Sequence, residues 1–339
     1  MIATNVLRLA INRIRVLKAH EKAQLEEIVD SESFFLALNA SLLSQITGRR
    51  ISPLDERPDV LLERAKRDQQ VMLSRGITAI SIYERRYPAA LREIFDPPYL
   101  LYVRGRYPEE QAVPAVAIVG TREPSAPASR AARELGFELA STGFLVVSGL
   151  ARGIDVAAHQ GALRGGITGA VLASGVDAVY PVSHKSVAAQ ILDRGGFLMS
   201  EYAPGVPPVK YHFPARNRII SGLARGVVVI QAPTRSGALI TADYALDQGR
   251  DLFVHRAGLD GAVGAGSADL AADGAMIIEE ASDIALEWGI EIARDREVAG
   301  AVAKPTGAAD ASQARRAQVA AVRTELARAE RGHRGGGSR

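Results

Sequence analysis

Hydrophobic residues have two different spacings along the chain, and the change from one to the other occurs near Val113. Residues 1 to about 85 carry apolar side chains at helical spacing, as in VLRLAINRIRVL and VLLERAKRDQQVML, which predicts a small helical N-terminal domain. Residues 86–112 mix prolines with aromatic side chains, which is typical of a connecting segment with one short strand. A different fold is therefore expected from residue 113 onward.

Short apolar runs alternate with amphipathic stretches over residues 113–293. Six runs have the length and composition of buried strands: AVAIVG, FLVVSG, TGAVLAS, FLMSE, GVVVIQA and DLFVHRA. Near-continuous apolar strands separated by helices predict a Rossmann-like α/β fold with a doubly wound, mostly parallel sheet. Right-handed crossovers place the carboxyl ends of these strands along one edge, where such sheets bind ligands.

The last part of the chain, 294–339, changes to Ala, Arg, Gly and Ser. It holds ten Lys or Arg against five Asp or Glu, a net of +5, which leaves −2 for the rest of a chain whose formal net charge is +3. This composition predicts a disordered basic tail. Affinity of the folded part for nucleic acid would therefore need a local basic cluster.

Composition also excludes several classes of protein. The chain has no cysteine, and its six histidines are scattered, so neither a metal site nor a cysteine nucleophile is predicted. No apolar run has the length of a membrane span, and we expect no membrane contact and a cytoplasmic location. The first twenty residues are apolar and basic, and we interpret them as a docked helix rather than a transit peptide.

Cationic and small residues gather at the predicted ligand edge. Gly120, Ser148 and Gly149 follow strands and allow close approach of a phosphate to the backbone. Aromatic residues interleave with the cations, as in single-stranded nucleic-acid sites, although core packing is the other interpretation of these rings and is expected for at least Phe213. No set of nucleophile, base and orienting residue is present, so we predict binding without catalysis and without a cofactor. The cations at this edge are Arg122, Lys185, Lys210, Arg216, Arg218 and Arg235.

The segment FPARNRIISGL places two arginines close to a helix start. Pro214 suits the first turn of a helix, so Arg216, Asn217 and Arg218 lie near free backbone N–H groups and the positive end of the helix dipole. One interpretation is an anion site that contains both arginines. The other is one solvated arginine and one that is paired with a carboxylate.

Several motifs occur together in an order that resembles the DNA-processing protein A (DprA/Smf) family. They are AIVGTREPS, VVSGLARGIDVAAHQGAL, VDAVYPVSHKSV, LMSEYAPGVPPVKYHFPARNRIISGLARGVVVIQA and RSGALITADYAL. The resemblance covers roughly residues 80–290. It implies an extended Rossmann domain that binds single-stranded DNA, forms a homodimer and loads the RecA recombinase in natural transformation or recombination.

The resemblance also implies positions for the family's functional residues. Arg122, Lys185, Lys210 and the segment Phe213–Arg218 would line the DNA pocket, and the helix around Ala242–Gly249 with the following strand would form the dimer interface. The family often carries a C-terminal winged helix, and the Ala- and Arg-rich composition of 294–339 predicts that this domain is absent here.

Two other functions are alternatives to this interpretation of the sequence. A nucleotide-binding enzyme resembling the phosphoribohydrolases would need a glutamate shortly after Thr241, where this chain has Ala242, Asp243 and Tyr244. A pure interaction module without DNA binding would be favoured if carboxylates neutralised the cations of the ligand edge.

Overall fold

One sheet organises the part of the chain that the structure describes. In this computed structural model, residues 5–108 and 114–291 are described, and within them the sheet has nine strands in the order β1-β2-β6-β5-β4-β3-β7-β8-β9. The strands are β1 (Ile77–Ser81), β2 (Leu100–Gly105), β3 (Ala115–Val119), β4 (Leu145–Ser148), β5 (Thr168–Val171), β6 (Phe197–Ser200), β7 (Gly226–Val229), β8 (Asp251–His255) and β9 (Met276–Ile278).

Helices cover both faces of this sheet and form the N-terminal layer. In the described stretches they are α1 (Val6–Asn12), α2 (Ala19–Ile28), α3 (Glu32–Leu36), α4 (Ala40–Thr47), α5 (Pro58–Arg75), α6 (Ala89–Arg92), α7 (Ala126–Ser141), α8 (Ile154–Gly165), α9 (Lys185–Asp193), α10 (His212–Leu223), α11 (Gly237–Asp247), α12 (Ala265–Ala272) and α13 (Ala281–Glu287). Across these residues we find no helix with the length and apolarity that a bilayer crossing requires.

The predicted α/β fold with a mostly parallel sheet is confirmed. The six apolar runs form β3 to β8, and each pairing between two of these six strands is parallel. β3, β4 and β5 are buried along their whole length, because helices cover both faces. β9 adds a parallel strand beyond β8.

Two strands before residue 112 extend the sheet on its other side. β1 pairs with β2, and β2 pairs with β6, both antiparallel. β1 lies inside the stretch 1–85 predicted as helical, and β2 is the short strand expected in 86–112. The division into domains at these boundaries stays a prediction, and the predicted tail, 294–339, falls outside the described residues.

Alternate residues of the central strands belong to different cores. Val116 and Ile118 of β3 pack with α7, α8 and α13 on one face. Ala117 and Val119 pack with α10 and α11 on the opposite face. A third cluster joins α1 to α5 with α9 and with β2, β5 and β6, so the N-terminal helices lie against the sheet within one compact unit, 1–292.

The direction of chain winding reverses between β3 and β7. From β3 the chain continues to β4 and β5 on one side, whereas β7 and β8 lie on the other side. The loops that follow β3 and β7 therefore diverge and leave a crevice at their carboxyl ends, which is where open α/β sheets bind ligands.

Candidate nucleic-acid interface

A cavity of about 730 Å³ lies at this crevice, and we call it the strand-edge cavity. It is bounded by the loop after β3 (Gly120–Arg122), the loop and helix start after β7 (Pro233–Thr241), and the first turns of α10 with the segment before it. Every one of these boundaries is a strand end or a helix start. The cavity thus brings together side chains from separate loops at the ends of the strands.

A cation and two rings form one wall of the strand-edge cavity. The guanidinium of Arg122 lies 5.5 Å from the ring centroid of Phe213, and Phe213 meets the ring of Tyr180 edge-on at 5.8 Å. Tyr180 is 50% exposed and Phe213 is half-buried, so Phe213 does not sit in the core. Exposed rings beside a cation suit a base that stacks while its phosphate is neutralised.

The exposed cations of the cavity form no ion pair with any residue that the structure describes. Arg122, Lys210 and Arg235 line the cavity and are exposed. Within residues 5–108 and 114–291, none of the three takes part in an ion pair. Their mutual repulsion favours an anionic ligand. The condition that would favour a pure interaction module is therefore not met at these positions.

Arg216 forms the floor of the cavity rather than its rim. The residue is only 4% exposed, and its Nη1 donates to the carbonyl oxygen of Gly149 at 2.7 Å and to that of Val171. Burial lowers the pKa of Arg216 to about 10, opposed by the carboxylate of Asp155 and assisted by Arg122. The guanidinium ties the ends of β4 and β5 together and adds positive potential below the cavity.

The peptide of Gly149 connects Arg216 to Asp155. The carbonyl of Gly149 accepts from Arg216, while its N–H donates to Asp155 Oδ2 at 3.1 Å, an oxygen that also accepts from the N–H of Ala151. A Cβ on Gly149 would lie 2.3 Å from Arg216 Nη1, so the position requires glycine. Burial raises the pKa of Asp155, and Arg216 and these N–H donors oppose that rise.

Arg218 faces away from the strand-edge cavity, which corrects the expectation that both arginines await an anion. Its Nη2 donates to Glu201 at 2.7 Å, and its Nε donates to Asp96 at 3.3 Å. Burial would lower the pKa of Arg218, but the two carboxylates outweigh that effect and raise it. Residues two apart on a helix point in nearly opposite directions, so α10 separates Arg216 from Arg218.

The remaining predicted residues divide between the cavity and the structure around it. Asn217 lines the cavity and donates to the carbonyl of Gly237 at 3.0 Å. Ser148 is buried and donates to Ile118 at 2.6 Å. Lys185 begins α9 and is exposed, but it is not among the lining residues. Gly120 lines the cavity, whereas Gly149 lies behind it.

Backbone contacts hold the loop that carries Arg122. The N–H of Thr121 donates to Gln231 at 2.7 Å, and the N–H of Ile154 donates to Thr121 at 3.2 Å. Gly153 has a φ of +78°, and a Cβ there would lie 2.3 Å from the carbonyl oxygen of Thr121. Only glycine lets α8 begin so close to this loop, and the loop is therefore fixed before any ligand arrives.

The cavity offers little for acid–base chemistry. Asp155 is the one carboxylate among its lining residues, and it is buried and engaged by backbone donors. His159 bonds to Thr168 at 2.8 Å, and burial lowers its pKa to about 3. Asp243 is exposed on α11 and outside the lining. In the described parts of the chain no group of three or more His, Asp or Glu is placed to hold a metal.

A second cavity, of about 580 Å³, was not found from the sequence. It lies between α1, α2 and α5 and the segments 96–100 and 201–212, and we call it the helix-side cavity. Arg15, Lys18 and Lys22 line it. The signal that could have found it is the basic, acid-free start of the chain, which precedes Glu21.

Comparison with known proteins agrees with this geometry. A family model for DNA recombination-mediator protein A matches residues 78–289. DNA processing protein DprA of Streptococcus pneumoniae is 38% identical over 235 residues, which cover 68% of this chain and 82% of the relative. DNA processing protein DprA of Bacillus subtilis is 39% identical over 210 residues, 62% of this chain and 70% of that one.

Two solved structures share the fold. The crystal structure of the Streptococcus pneumoniae protein superposes with a TM-score of 0.68 at 33% identity, over 86% of this chain and all of that one. DNA processing protein A from Helicobacter pylori, whose structure was determined for its single-stranded DNA binding mode, gives 0.55 at 30% identity over 63% and 97%. The chain belongs to the DNA recombination-mediator protein A family, also called DNA processing protein A.

Proposed function

We propose that this protein binds single-stranded DNA in the strand-edge cavity and acts by binding rather than by catalysis. The observation that carries the proposal is the wall of Arg122, Phe213 and Tyr180 beside two further cations, Lys210 and Arg235, that form no ion pair within the described part of the chain. Rings stack bases of any kind and cations neutralise phosphates, so the binding would be tolerant of sequence and sensitive to salt.

Family membership supports a finer proposal. We infer that the protein delivers RecA to the single strand it holds, as a recombination mediator in the cytoplasm and without a cofactor. The test is RecA filament formation on single-stranded DNA coated with single-strand-binding protein. Acceleration by the wild-type chain and none by Arg122→Ala would support mediation through the strand-edge cavity.

A homodimer is the third element of the proposal, with α11 in its interface. Leu246 on α11 is 59% exposed, which leaves an apolar side chain available to a second copy. Light scattering at micromolar concentration tests this. A dimer mass that becomes monomeric in Leu246→Asp supports the interface, and a monomeric wild-type mass contradicts it.

The DNA site can be tested with a matched pair of arginines. Arg164 is exposed and lies 5.1 Å from the ring centroid of Phe137, outside the cavity lining, so Arg164→Ala removes the same charge and the same kind of ring contact as Arg122→Ala. We expect Arg122→Ala to weaken binding of a labelled oligonucleotide about tenfold. The slope of the logarithm of the binding constant against the logarithm of the salt concentration should become less steep by about 0.7. Arg164→Ala should leave both within about twofold.

Fluorescence anisotropy at several salt concentrations measures this, with an equal-length duplex in parallel. Preference for the single strand with loss in Arg122→Ala alone supports the site. Equal losses in both variants would mean that general positive charge, and not the strand-edge cavity, holds the DNA.

A further inference from the structure

The helix-side cavity shares a wall with the strand-edge cavity. Along the segment before α10, Pro208 and Lys210 line the strand-edge cavity, while Pro207, Val209 and Tyr211 line the helix-side cavity. Alternate residues of one extended segment thus face different cavities. A flexible polymer that fills the first cavity can reach the second by crossing a single strip of backbone.

Charge in the helix-side cavity is only partly balanced. Three of its arginines are paired: Arg13 with Asp68, Arg64 with Glu56, and Arg218 with Glu201 and Asp96. Arg15, Lys18 and Lys22 also line the cavity, and within the described ranges they take part in none of the ion pairs. With Asp68 included, the cavity keeps two more positive than negative charges.

Two of these three cations belong to one helix start. Lys18 is the N-cap of α2, a helix of ten residues, and Ala19 and Lys22 of its first turn also line the cavity. Glu21 of the same turn already accepts from the N–H of Lys18 and is paired with Arg49, so it is the two lysine side chains that are left to attract a further anion. Lys22 Nζ donates to the carbonyl of Asn12 at 2.8 Å, which fixes the ammonium at the cavity wall.

Rings line the route between the two cavities. Tyr211 is 69% exposed and meets the ring of His212 edge-on at 4.7 Å, and His212 in turn stacks on Tyr202 at 3.7 Å. This arrangement braces Tyr211 from behind and leaves its outer face open. An open ring on a rigid support is the kind of platform on which an unpaired base stacks.

We propose that the helix-side cavity is a second binding site for the phosphodiester backbone of single-stranded DNA, reached by a strand that leaves the strand-edge cavity over Tyr211. The inference rests on the proposed function and assigns the N-terminal helical layer to DNA binding. Arg15 and Lys18 contact phosphates, and Tyr211 stacks the base at the crossing. A strand too short to cross would occupy the strand-edge cavity alone.

Two oligothymidines, about 5 and about 20 nucleotides long, separate the two sites because single-strand sites span that range. The test variant is Arg15→Ala with Lys18→Ala. Its matched control is Arg50→Ala with Arg67→Ala, two exposed cations of the same helical layer that do not line the cavity. Both double variants remove the same charge from exposed positions, and circular dichroism verifies folding.

We expect the test variant to bind the long strand about tenfold more weakly, with a salt slope flatter by about 1.4, because two phosphate contacts are lost. Its affinity for the short strand should stay within about twofold, as should both affinities of the control. An unchanged long-strand affinity, or equal losses in test and control, would overturn the proposal.

Photocrosslinking locates the crossing directly. A single photoreactive thymine scanned along the long strand should crosslink to Tyr211, and Tyr211→Ala should weaken only the long strand. The exposed Tyr83 serves as control ring. If millimolar thymidine monophosphate lowered the affinity for the long strand to that for the short strand, the helix-side cavity would be assigned to a free nucleotide instead. If the short strand itself fails to bind, or binds without Arg122, the proposed function fails independently of this inference.

Discussion

Replacing Arg216 tests whether this arginine is part of the fold or a direct contact to the DNA backbone. In the structure its Nη1 donates to the carbonyls of Gly149 and Val171 at two strand ends. Its charge also opposes the raised pKa of Asp155. A lysine at position 216 would keep the charge but cannot reproduce the planar fork of donors.

The expected size of the effect follows from opposing contributions. Loss of the guanidinium leaves two buried carbonyls without this donor, at about 1–3 kcal/mol each. Against this, the pKa of Arg216 is lowered to about 10, so its buried charge costs the fold about 3 kcal/mol, which a neutral residue recovers. Arg216→Met should therefore lower the free energy of unfolding by about 1 kcal/mol. Arg216→Lys should lower it at least as much, because the ammonium stays buried with fewer partners.

Urea unfolding followed by circular dichroism measures both variants. A double-mutant cycle with Asp155→Asn should show a coupling of about 1–2 kcal/mol, since the two charges compensate each other in the wild type. Arg216→Lys with wild-type stability and wild-type DNA affinity would refute the reasoning. That result would mean that Arg216 serves as an accessible positive charge and not as a brace for the strand ends.

Three further changes have expected outcomes. Gly149→Ala places a Cβ 2.3 Å from Nη1 of Arg216 and should lower the free energy of unfolding, measured in urea, by about 2–3 kcal/mol. Its control, Gly237→Ala, has open space at the new Cβ and should change that free energy by no more than about 0.5 kcal/mol. Equal effects of the two substitutions would contradict the packing argument. Burial lowers the pKa of His159 to about 3, so between pH 6.5 and pH 3 the unfolded chain binds a proton that the folded chain excludes. The free energy of unfolding should therefore fall by up to about 1.4 kcal/mol per pH unit as the pH is lowered from 6.5 toward 3. If a His159→Asn variant kept the full slope of unfolding free energy against pH over this range, His159 would not be the group responsible. Arg218→Ala leaves two carboxylates without their cation and should cost about 3 kcal/mol, while short-strand affinity measured by anisotropy stays within about twofold; a large loss of that affinity in folded protein would place Arg218 at the DNA.

The strands that could be predicted are those with a strong local signal. β3 to β8 are buried on both faces, so each reads as an apolar run bounded by small or polar residues. β1 follows α5 with only Gly76 between them. The helical spacing of apolar residues in α5 therefore continues almost to the first residue of the strand and obscures the change from helix to strand. β9 has three residues, too few for any periodicity to appear.

The site shows the same division between local and tertiary information. Placement of Arg122, Lys210 and Arg235 at one edge follows from parallel topology, because strand ends converge whatever the side chains are. The direction in which each arginine of α10 points depends on which face of the helix is buried. Arg216, Ile220 and Leu223 are spaced i, i+4 and i+7, so the apolar stripe extended back by one turn includes Arg216. The sequence therefore carries the signal that places Arg216 on the buried face of α10.

The two arginines of α10 explain why the ligand edge can be basic without being unstable. Arg218 is neutralised by Glu201 and Asp96, and Arg216 is screened by the carboxylate of Asp155 through the Gly149 peptide. The charges near the core are therefore balanced inside the protein. In the stretches 5–108 and 114–291, the cations of the strand-edge cavity that form no ion pair, Arg122, Lys210 and Arg235, are exposed, so that solvent or a phosphate can compensate them. This arrangement separates the groups that support the fold from those that are available to a ligand.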